Sequence, residues 1–207
     1  MIAVIDYGMG NLRSVAKALE FVGCEVRVVS EPQALRDARG IVLPGVGAFA
    51  KAMENLQRQG LVEPLIAAIQ SGKPYLGICL GLQLLLDESE ERFDDGSPAP
   101  KGFGIIAGRV RRLPAGVKVP QIGWNQLHFA RPSRLYEEVP DGSYVYFVHS
   151  YYAEPADPAA VAAWTEYGVR FASALERENV MAVQFHPEKS GRVGLKILAN
   201  FKKVAAA

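Results

Sequence analysis

Short apolar runs alternate with amphipathic stretches along the first half of the chain. The apolar runs suit buried strands, and the amphipathic stretches repeat their apolar positions every three or four residues, as a helix with one buried face does. We therefore predict strands at 2–5, 26–29, 41–43 and 75–78, and helices at 11–22, 49–59, 62–70 and 80–86. Strands that alternate with helices favour right-handed crossovers and a parallel sheet with helices on its faces.

The pattern changes after residue 87. A polar loop at 94–100 is followed by strand-like runs at 105–113, 126–129, 144–148, 162–165, 171–176 and 181–185, and a helix at 192–204 closes the chain. These runs are typical of hairpins, in an antiparallel or mixed layer added to the same sheet. Since no repeat or linker divides the chain, we predict one α/β domain over 1–207. Its sheet is flavodoxin-like, mixed but mainly parallel, flanked by helices, with antiparallel strands added in the C-terminal half.

Composition and charge narrow the functional classes. The 207 residues include 23 basic and 22 acidic side chains, a formal net charge of +1, which gives no case for binding nucleic acid or an acidic membrane surface. No apolar stretch reaches the roughly 18 residues of a membrane span, and residues 1–6 lack the features of a signal peptide. Two cysteines are too few for a disulfide framework. We expect a cytoplasmic protein.

Cys79 stands between two glycines where a predicted strand meets a predicted helix. The segment 77–81, Gly-Ile-Cys-Leu-Gly, is typical of a nucleophile elbow, whose tight turn pushes the central side chain out of the sheet. The helix beginning at Leu80 directs free N–H groups and partial positive charge at the sulfur, which favours the thiolate. Simple packing is the alternative for a lone cysteine, but packing does not require flanking glycines. Gln83, one helical turn on, is either solvated or an amide that holds a polar substrate.

His186 is the candidate base for this nucleophile. It begins the segment His186-Pro187-Glu188, in which the carboxylate lies two residues on, along the same side of an extended chain. There Glu188 would fix the imidazole tautomer and stabilise the imidazolium. His128 and His149 lie in aromatic or apolar strand patterns, and we interpret both as structural. A cysteine, a histidine and a carboxylate together indicate covalent acyl transfer.

Acyl transfer also needs an oxyanion hole. The N–H of Leu80 directly follows the nucleophile, and the glycine-rich turn 44–47 offers Val46 and Gly47 as further donors, although a plain turn is the alternative. Ligands of parallel sheets bind outside the carboxyl ends of the strands. Three predicted strands are followed directly by the segment 6–8, the segment 44–47 and the cysteine. We expect these segments to converge on one rim.

Several motifs carry a resemblance to a known family. They are Asp6-Tyr7-Gly8-Met9-Gly10-Asn11, Pro44-Gly45-Val46-Gly47, Gly77-Ile78-Cys79-Leu80-Gly81-Leu82-Gln83, Pro120-Gln121-Ile122-Gly123-Trp124-Asn125, Phe147-Val148-His149-Ser150-Tyr151-Tyr152 and His186-Pro187-Glu188-Lys189-Ser190. The elbow and the histidine motif resemble the triad-type, class-I glutamine amidotransferases. The whole set, which runs nearly end to end, is similar to the glutaminase subunits of imidazole glycerol phosphate synthase.

The resemblance implies an activity, a partner and site residues. L-glutamine would be hydrolysed through a thioester on Cys79, without cofactor or metal, and the ammonia would pass to a cyclase subunit with a (β/α)8 barrel for histidine biosynthesis and linked purine synthesis. The implied glutamine-binding residues are Gly47, Gln83, Glu91, Ser150 and Tyr151, and those implied at the partner interface are Asp6, Trp124, Asn125, Tyr146 and Lys189. Without the resemblance, Glu91 would belong to a solvated charged face at 87–92.

Two rival interpretations stay open. One is another amidotransferase of the superfamily, serving anthranilate, aminodeoxychorismate or pyridoxal phosphate synthesis, against which the segments 44–47 and 122–125 argue. The other is a binding or stress-sensing module in which Cys79 is a redox switch. That interpretation assigns no function to the segment 186–188, which counts against it.

Overall fold

The computed structural model of the chain describes residues 1–91 and 98–206, so the polar loop predicted at 94–100 lies largely outside them. The strands are β1 (Ile2–Ile5), β2 (Val26–Val29), β3 (Gly40–Gly45), β4 (Tyr75–Cys79), β5 (Glu88–Ser89), β6 (Gly108–Arg112), β7 (Gln121–Gln126), β8 (His128–Phe129), β9 (Tyr144–His149), β10 (Tyr151–Pro155), β11 (Val161–Glu166), β12 (Arg170–Arg177) and β13 (Val180–Val183). The helices are α1 (Leu12–Phe21), α2 (Ala34–Asp37), α3 (Phe49–Arg58), α4 (Val62–Gln70), α5 (Leu80–Gln83) and α6 (Gly191–Ala206).

Parallel strands occupy the centre of the main sheet in the order β2-β1-β3-β4-β13. This is the flavodoxin order, with β13 as its fifth strand. Between β4 and β13 the chain builds antiparallel strands: β12 pairs with β13, β10 and β11, β10 pairs with β6, and β7 and β9 form a separate two-stranded sheet. The predicted α/β fold is confirmed.

Both faces of the central sheet are buried. Ala3 and Ile5 of β1 belong to the core that α3 and α4 cover, whereas Ile2 and Val4 belong to the core under α1 and α6. This alternation is the expected result of a period of two in a strand covered on both sides. No helix among the described residues has the length and apolar character needed to cross a membrane.

The strand predicted at 126–129 is misplaced. The strand that pairs with β9 is β7, at Gln121–Gln126. A break after Gln126 separates β7 from the two-residue strand β8. The outward-facing Ile122 and Trp124 of β7 are apolar and exposed, whereas Gln121 is polar and buried. This pattern inverts the usual alternation of buried apolar and exposed polar residues, so hydrophobicity alone does not reveal the strand.

The helix predicted at 80–86 ends at Gln83. Backbone N–H groups of residues 103–106 donate to the carbonyl oxygens of Leu84, Leu85 and Leu86 at 2.7–3.2 Å. The N–H groups of Leu85 and Leu86 donate to the carbonyl oxygens of Leu82 and Gln83, three residues back, whereas a continued α-helix would bond four residues back. Because α5 is only one turn long, it acts on Cys79 chiefly through its first N–H groups rather than through a full helix dipole.

The corner between β4 and α5 packs so closely that two glycines are required. A Cβ added at Gly81 would overlap the carbonyl oxygen of Leu43 in β3, and one added at Gly77 would overlap the carbonyl oxygen of Gly81. That carbonyl oxygen also accepts a hydrogen bond from the Tyr75 hydroxyl at 2.8 Å. The glycines at the corner therefore serve close backbone approach.

We predict that Gly81→Ala lowers the free energy of unfolding by about 3 kcal/mol, because backbone atoms of β3 must move to admit the methyl group. Gly72→Ala is the control. Gly72 has φ +89° but no neighbour within 4 Å of an added Cβ, so the change should cost only about 1 kcal/mol of backbone strain. Urea unfolding measures both variants, and equal losses would contradict the steric explanation.

Candidate active site

Cys79 is the last residue of β4 and has φ 54° and ψ −104°. A positive φ is strained for a residue with a side chain, and the surrounding structure must hold it. Here β4 is paired on both sides, with Cys79 opposite Gly45 of β3 and Ile78 opposite Val183 of β13. The sheet thus fixes the turn that presents the sulfur.

His186 follows β13 and forms a buried pair with Glu188. Its Nδ1 lies 2.9 Å from Oε1 of Glu188, and the side chains are 3% and 1% exposed. The 3₁₀ turn Pro187–Lys189 brings the carboxylate back beneath the ring. With Nδ1 bonded to the carboxylate, Nε2 is the nitrogen left for proton transfer.

The charges of the site are coupled. Burial by itself lowers the pKa of His186, but Cys79 and Glu188 outweigh burial and raise this pKa above the ordinary histidine value. Nε2 makes no well-aligned hydrogen bond to any described residue, although Cys79 lies near enough to act on the ring. Long or poorly aligned contacts of this kind are common in catalytic pairs without substrate. The arrangement favours an imidazolium beside the sulfur.

A pocket of about 360 Å³ opens over the sulfur. Its lining residues are Val46, Gly47, Ala48, Cys79, Leu80, Gln83, Glu91, Pro120, Val148, His149, Ser150 and Tyr151. All five predicted glutamine-binding residues and all three candidate oxyanion donors are among them. A larger cavity of about 530 Å³ between α2 and α4 contains none of the predicted site residues.

Glu91 is not part of a solvated face. Its Oε2 accepts a hydrogen bond from the backbone N–H of Phe49 at 2.8 Å, at the N-terminus of α3. The residue that precedes α3, Ala48, has no side-chain oxygen to supply this acceptor. Burial raises the pKa of Glu91, and the hydrogen bond from Phe49 partly offsets this shift. Glu91 thus caps a helix while it lines the pocket.

His149 is buried and hydrogen-bonded at both ring nitrogens. Burial lowers the pKa of His149 to about 4, so its ring is neutral at pH 7. Nδ1 donates to the carbonyl oxygen of Tyr151 at 2.8 Å, which leaves Nε2 as an acceptor. The Gln121 side chain, 2.9 Å away, must therefore present its NH₂ group to the ring. His128 is exposed in β8, outside the pocket.

The predicted interface residues do not all share one face. Trp124 is 55% exposed, and its ring packs edge-on against the Tyr146 ring with 5.8 Å between the ring centroids. Asn125 faces the other way and donates to the carbonyl oxygen of Glu166 at 2.9 Å. Ile122 and Tyr144, which the motifs did not single out, lie exposed on the face of Trp124.

Asp6 and Lys189 lie outside this face. Asp6 follows β1, is half-buried and accepts a hydrogen bond from the N–H of Gly8 at 2.9 Å. Lys189 is exposed, in the 3₁₀ turn that also contains Glu188. Within residues 1–91 and 98–206, no three histidine, cysteine, aspartate or glutamate side chains cluster in a way that would hold a metal ion.

Sequence comparison decides the family. The model of the family described as "Glutamine amidotransferase class-I" matches residues 3–204. The chain belongs to this family. Relatives named "Imidazole glycerol phosphate synthase subunit HisH" include the following three. That of Methanothermobacter thermautotrophicus is 53% identical over 207 residues and 100% of both chains. Those of Moorella thermoacetica and Aquifex aeolicus are each 53% identical, over 97% and 98% of this amidotransferase and 93% and 96% of the relative.

Solved structures share the architecture of this amidotransferase. A protein described as "Crystal structure of glutamine amidotransferase" superposes with a TM-score of 0.77 at 18% identity over 100% of both chains. "Structure of PurLQS from Thermotoga maritima" gives a TM-score of 0.74 at 20% identity over 99% of this chain and 96% of the other. Likeness at this level of identity establishes the fold alone.

We predict that iodoacetamide alkylates Cys79 faster than Cys24 at pH 7. Burial raises the pKa of Cys24 and Lys202 offsets this only in part, whereas the charged ring of His186 lies beside the sulfur of Cys79. Replacing the counter-charge in His186→Asn should slow the labelling of Cys79 by about tenfold, since the thiolate is the reactive form. Mass spectrometry of the labelled peptides measures both rates.

His128→Asn is the matched control, because His128 is exposed and outside the pocket. It should leave the labelling rate of Cys79 unchanged. Equal rates for the two cysteines, or an unchanged rate in His186→Asn, would contradict the proposed ion pair.

Proposed function

We propose that this amidotransferase is the glutamine-hydrolysing subunit of an imidazole glycerol phosphate synthase. The observation that carries the proposal is 53% identity, over the full length of both chains, to a protein of that name. The geometry supports it, because a nucleophile, a base and an orienting carboxylate lie together beside a pocket of the size a small amino acid needs.

Hydrolysis proceeds through a covalent intermediate. The thiolate of Cys79 attacks the carboxamide carbon of glutamine, and the C–N bond breaks as His186 gives its proton to the departing ammonia. The neutral imidazole then takes a proton from water, whose oxygen attacks the thioester and releases glutamate. Glu188 keeps the ring oriented and stabilises its charged form in both steps.

Backbone N–H groups stabilise the oxyanion that forms in each step. Leu80, Val46 and Gly47 line the pocket next to the sulfur and supply the candidate donors. One such donor is worth about 3 kcal/mol of barrier. The carboxylate of Glu91 lines the same pocket and suits the ammonium group of glutamine. Gln83, Ser150 and Tyr151 complete the walls.

The ammonia passes to a cyclase subunit with a (β/α)8 barrel, which closes the ring of imidazole glycerol phosphate. We place the docking face of this partner on the outer side of β7 and β9. Ile122, Trp124 and Tyr144 there, with Val46 beside the pocket, are four of the six exposed large apolar side chains of the described residues. Exposed apolar groups gathered on one rim are typical of an interaction surface.

We predict that Cys79→Ala abolishes glutamine-dependent synthesis by the complex and leaves ammonia-dependent synthesis within about twofold of wild type. Free ammonia bypasses this subunit, so the second reaction does not need the sulfur. Steady-state assays with each nitrogen source measure the split. Loss of both activities in an assembled complex would overturn the assignment.

A γ-glutamyl chloroketone separates the glutaminase from a redox sensor. A glutaminase is labelled stoichiometrically at Cys79 under reducing conditions, because the reagent occupies the glutamine pocket. A sensor would react with oxidant and not with this reagent. Labelling that free glutamine fails to slow would also contradict the proposal.

For the partner, we predict that Trp124→Ala weakens binding of the purified cyclase subunit by at least about tenfold, as truncation of a central aromatic anchor does. Titration calorimetry measures the affinity. Phe21→Ala is the control, since Phe21 is 78% exposed at the end of α1, away from β7, and should not change binding. Equal effects of the two variants would exclude this face as the docking site.

A further inference from the structure

Gln184 is a second neighbour of the candidate nucleophile, in addition to His186. Its Nε2 lies 3.5 Å from the Cys79 sulfur and donates a hydrogen bond to it. Gln184 is fully buried and lies in the bend that joins β13 to His186, two residues before the histidine. The chain that follows β13 thus brings two polar side chains to one sulfur atom.

The orientation of the Gln184 amide is fixed by a chain of hydrogen bonds. The carbonyl oxygen of Tyr151 can only accept, so Gln83 must present its NH₂ group there, at 2.9 Å. The second hydrogen of that group donates to Oε1 of Gln184 at 3.2 Å. With its oxygen committed to Gln83, Gln184 must turn its own NH₂ group toward the sulfur.

The sulfur lies between a donor and an acceptor. On one side is the Gln184 NH₂ group, and on another is the carbonyl oxygen of Val148, 3.8 Å from the sulfur. A thiol can donate to the carbonyl oxygen, whereas a thiolate is repelled by it and gains from the N–H donor. The contact with Gln184 therefore favours the charged sulfur.

We propose that Gln184 is a positioning residue that donates a hydrogen bond to the Cys79 thiolate and holds the sulfur beside His186, away from the Val148 carbonyl oxygen. Gln184 is not among the residues that line the pocket, so it acts through the sulfur and not through contact with glutamine. The inference deepens the proposed function, because it concerns the same nucleophile.

Two variants remove the donor in different ways. Gln184→Met keeps the length of the side chain without any N–H group. Gln184→Glu keeps the shape and still accepts from Gln83, but it places a carboxylate next to the thiolate. In the isolated chain, the midpoint of the profile of iodoacetamide labelling rate against pH should rise by about one unit in Gln184→Met and further in Gln184→Glu.

Asn179→Met is the matched control. Asn179 is an amide at the opposite end of β13, where it donates to the carbonyl oxygens of Ile69 and Lys73 at 2.8 Å. Its replacement should lower stability and leave the labelling profile unchanged. If Gln184→Met fails to fold, Gln184→Glu carries the test alone.

The activity assay adds a second readout. We expect kcat for glutamine hydrolysis by the complex to fall about tenfold in Gln184→Met while KM changes less than about twofold, since Gln184 does not contact glutamine. An unchanged labelling midpoint in the folded variants, or an equal shift in Asn179→Met, would overturn the proposal. A shifted midpoint in a chain that proves to have no glutaminase activity would uphold the positioning role and refute the proposed function.

Discussion

The backbone turn at Cys79 is the constraint on which the rest of the site depends. A residue with a side chain at φ 54° carries strain of about 1–3 kcal/mol, and it persists only where neighbouring structure holds it. The pairing of β4 with β3 and β13 supplies that support, while Gly77 permits the close approach of α5 to β4 and Gly81 that of α5 to β3. The same pairing aligns the ends of these strands, so the turn that follows β3 and the histidine that follows β13 meet the sulfur at one edge.

Burial strengthens the interactions among the polar groups of the candidate active site. In a low-dielectric interior, hydrogen bonds and ion pairs are stronger than in water, and an unpaired charge is correspondingly costly. Burial alone would neutralise His186, and it stays charged because Cys79 and Glu188 lie on either side of it. The amide chain from Tyr151 through Gln83 to Gln184 adds a donor whose direction cannot reverse without breaking two hydrogen bonds. Removing any one member therefore leaves another member buried without its partner.

The sequence predicts the parts of the site that are local, and it does not reveal those that depend on strand register. The elbow at Cys79 and the pair His186 and Glu188 are short motifs whose spacing carries their geometry. Gln184 stands two residues before His186, but nothing in the chain shows that β13 pairs with β4 in the register that brings its amide to the sulfur. The contact of Glu91 with Phe49 joins residues 42 positions apart. Hydrophobic alternation also misses β7, because its exposed face is the apolar one.

Strand β9 connects the proposed docking face to the chemistry. Its outer side carries Tyr144 and Tyr146, whereas Phe147 on its inner side packs against Phe185. The backbone of Tyr146 accepts a hydrogen bond from the N–H of His186 at 2.9 Å and donates one to the Ser190 hydroxyl at 2.9 Å. One strand therefore separates the proposed docking face from the histidine, and a displacement of β9 that keeps these bonds moves His186 with it. The backbone of Gln184 is instead bonded to Ser173 of β12, so such a displacement changes the distance from the sulfur to the base more than the distance to the amide.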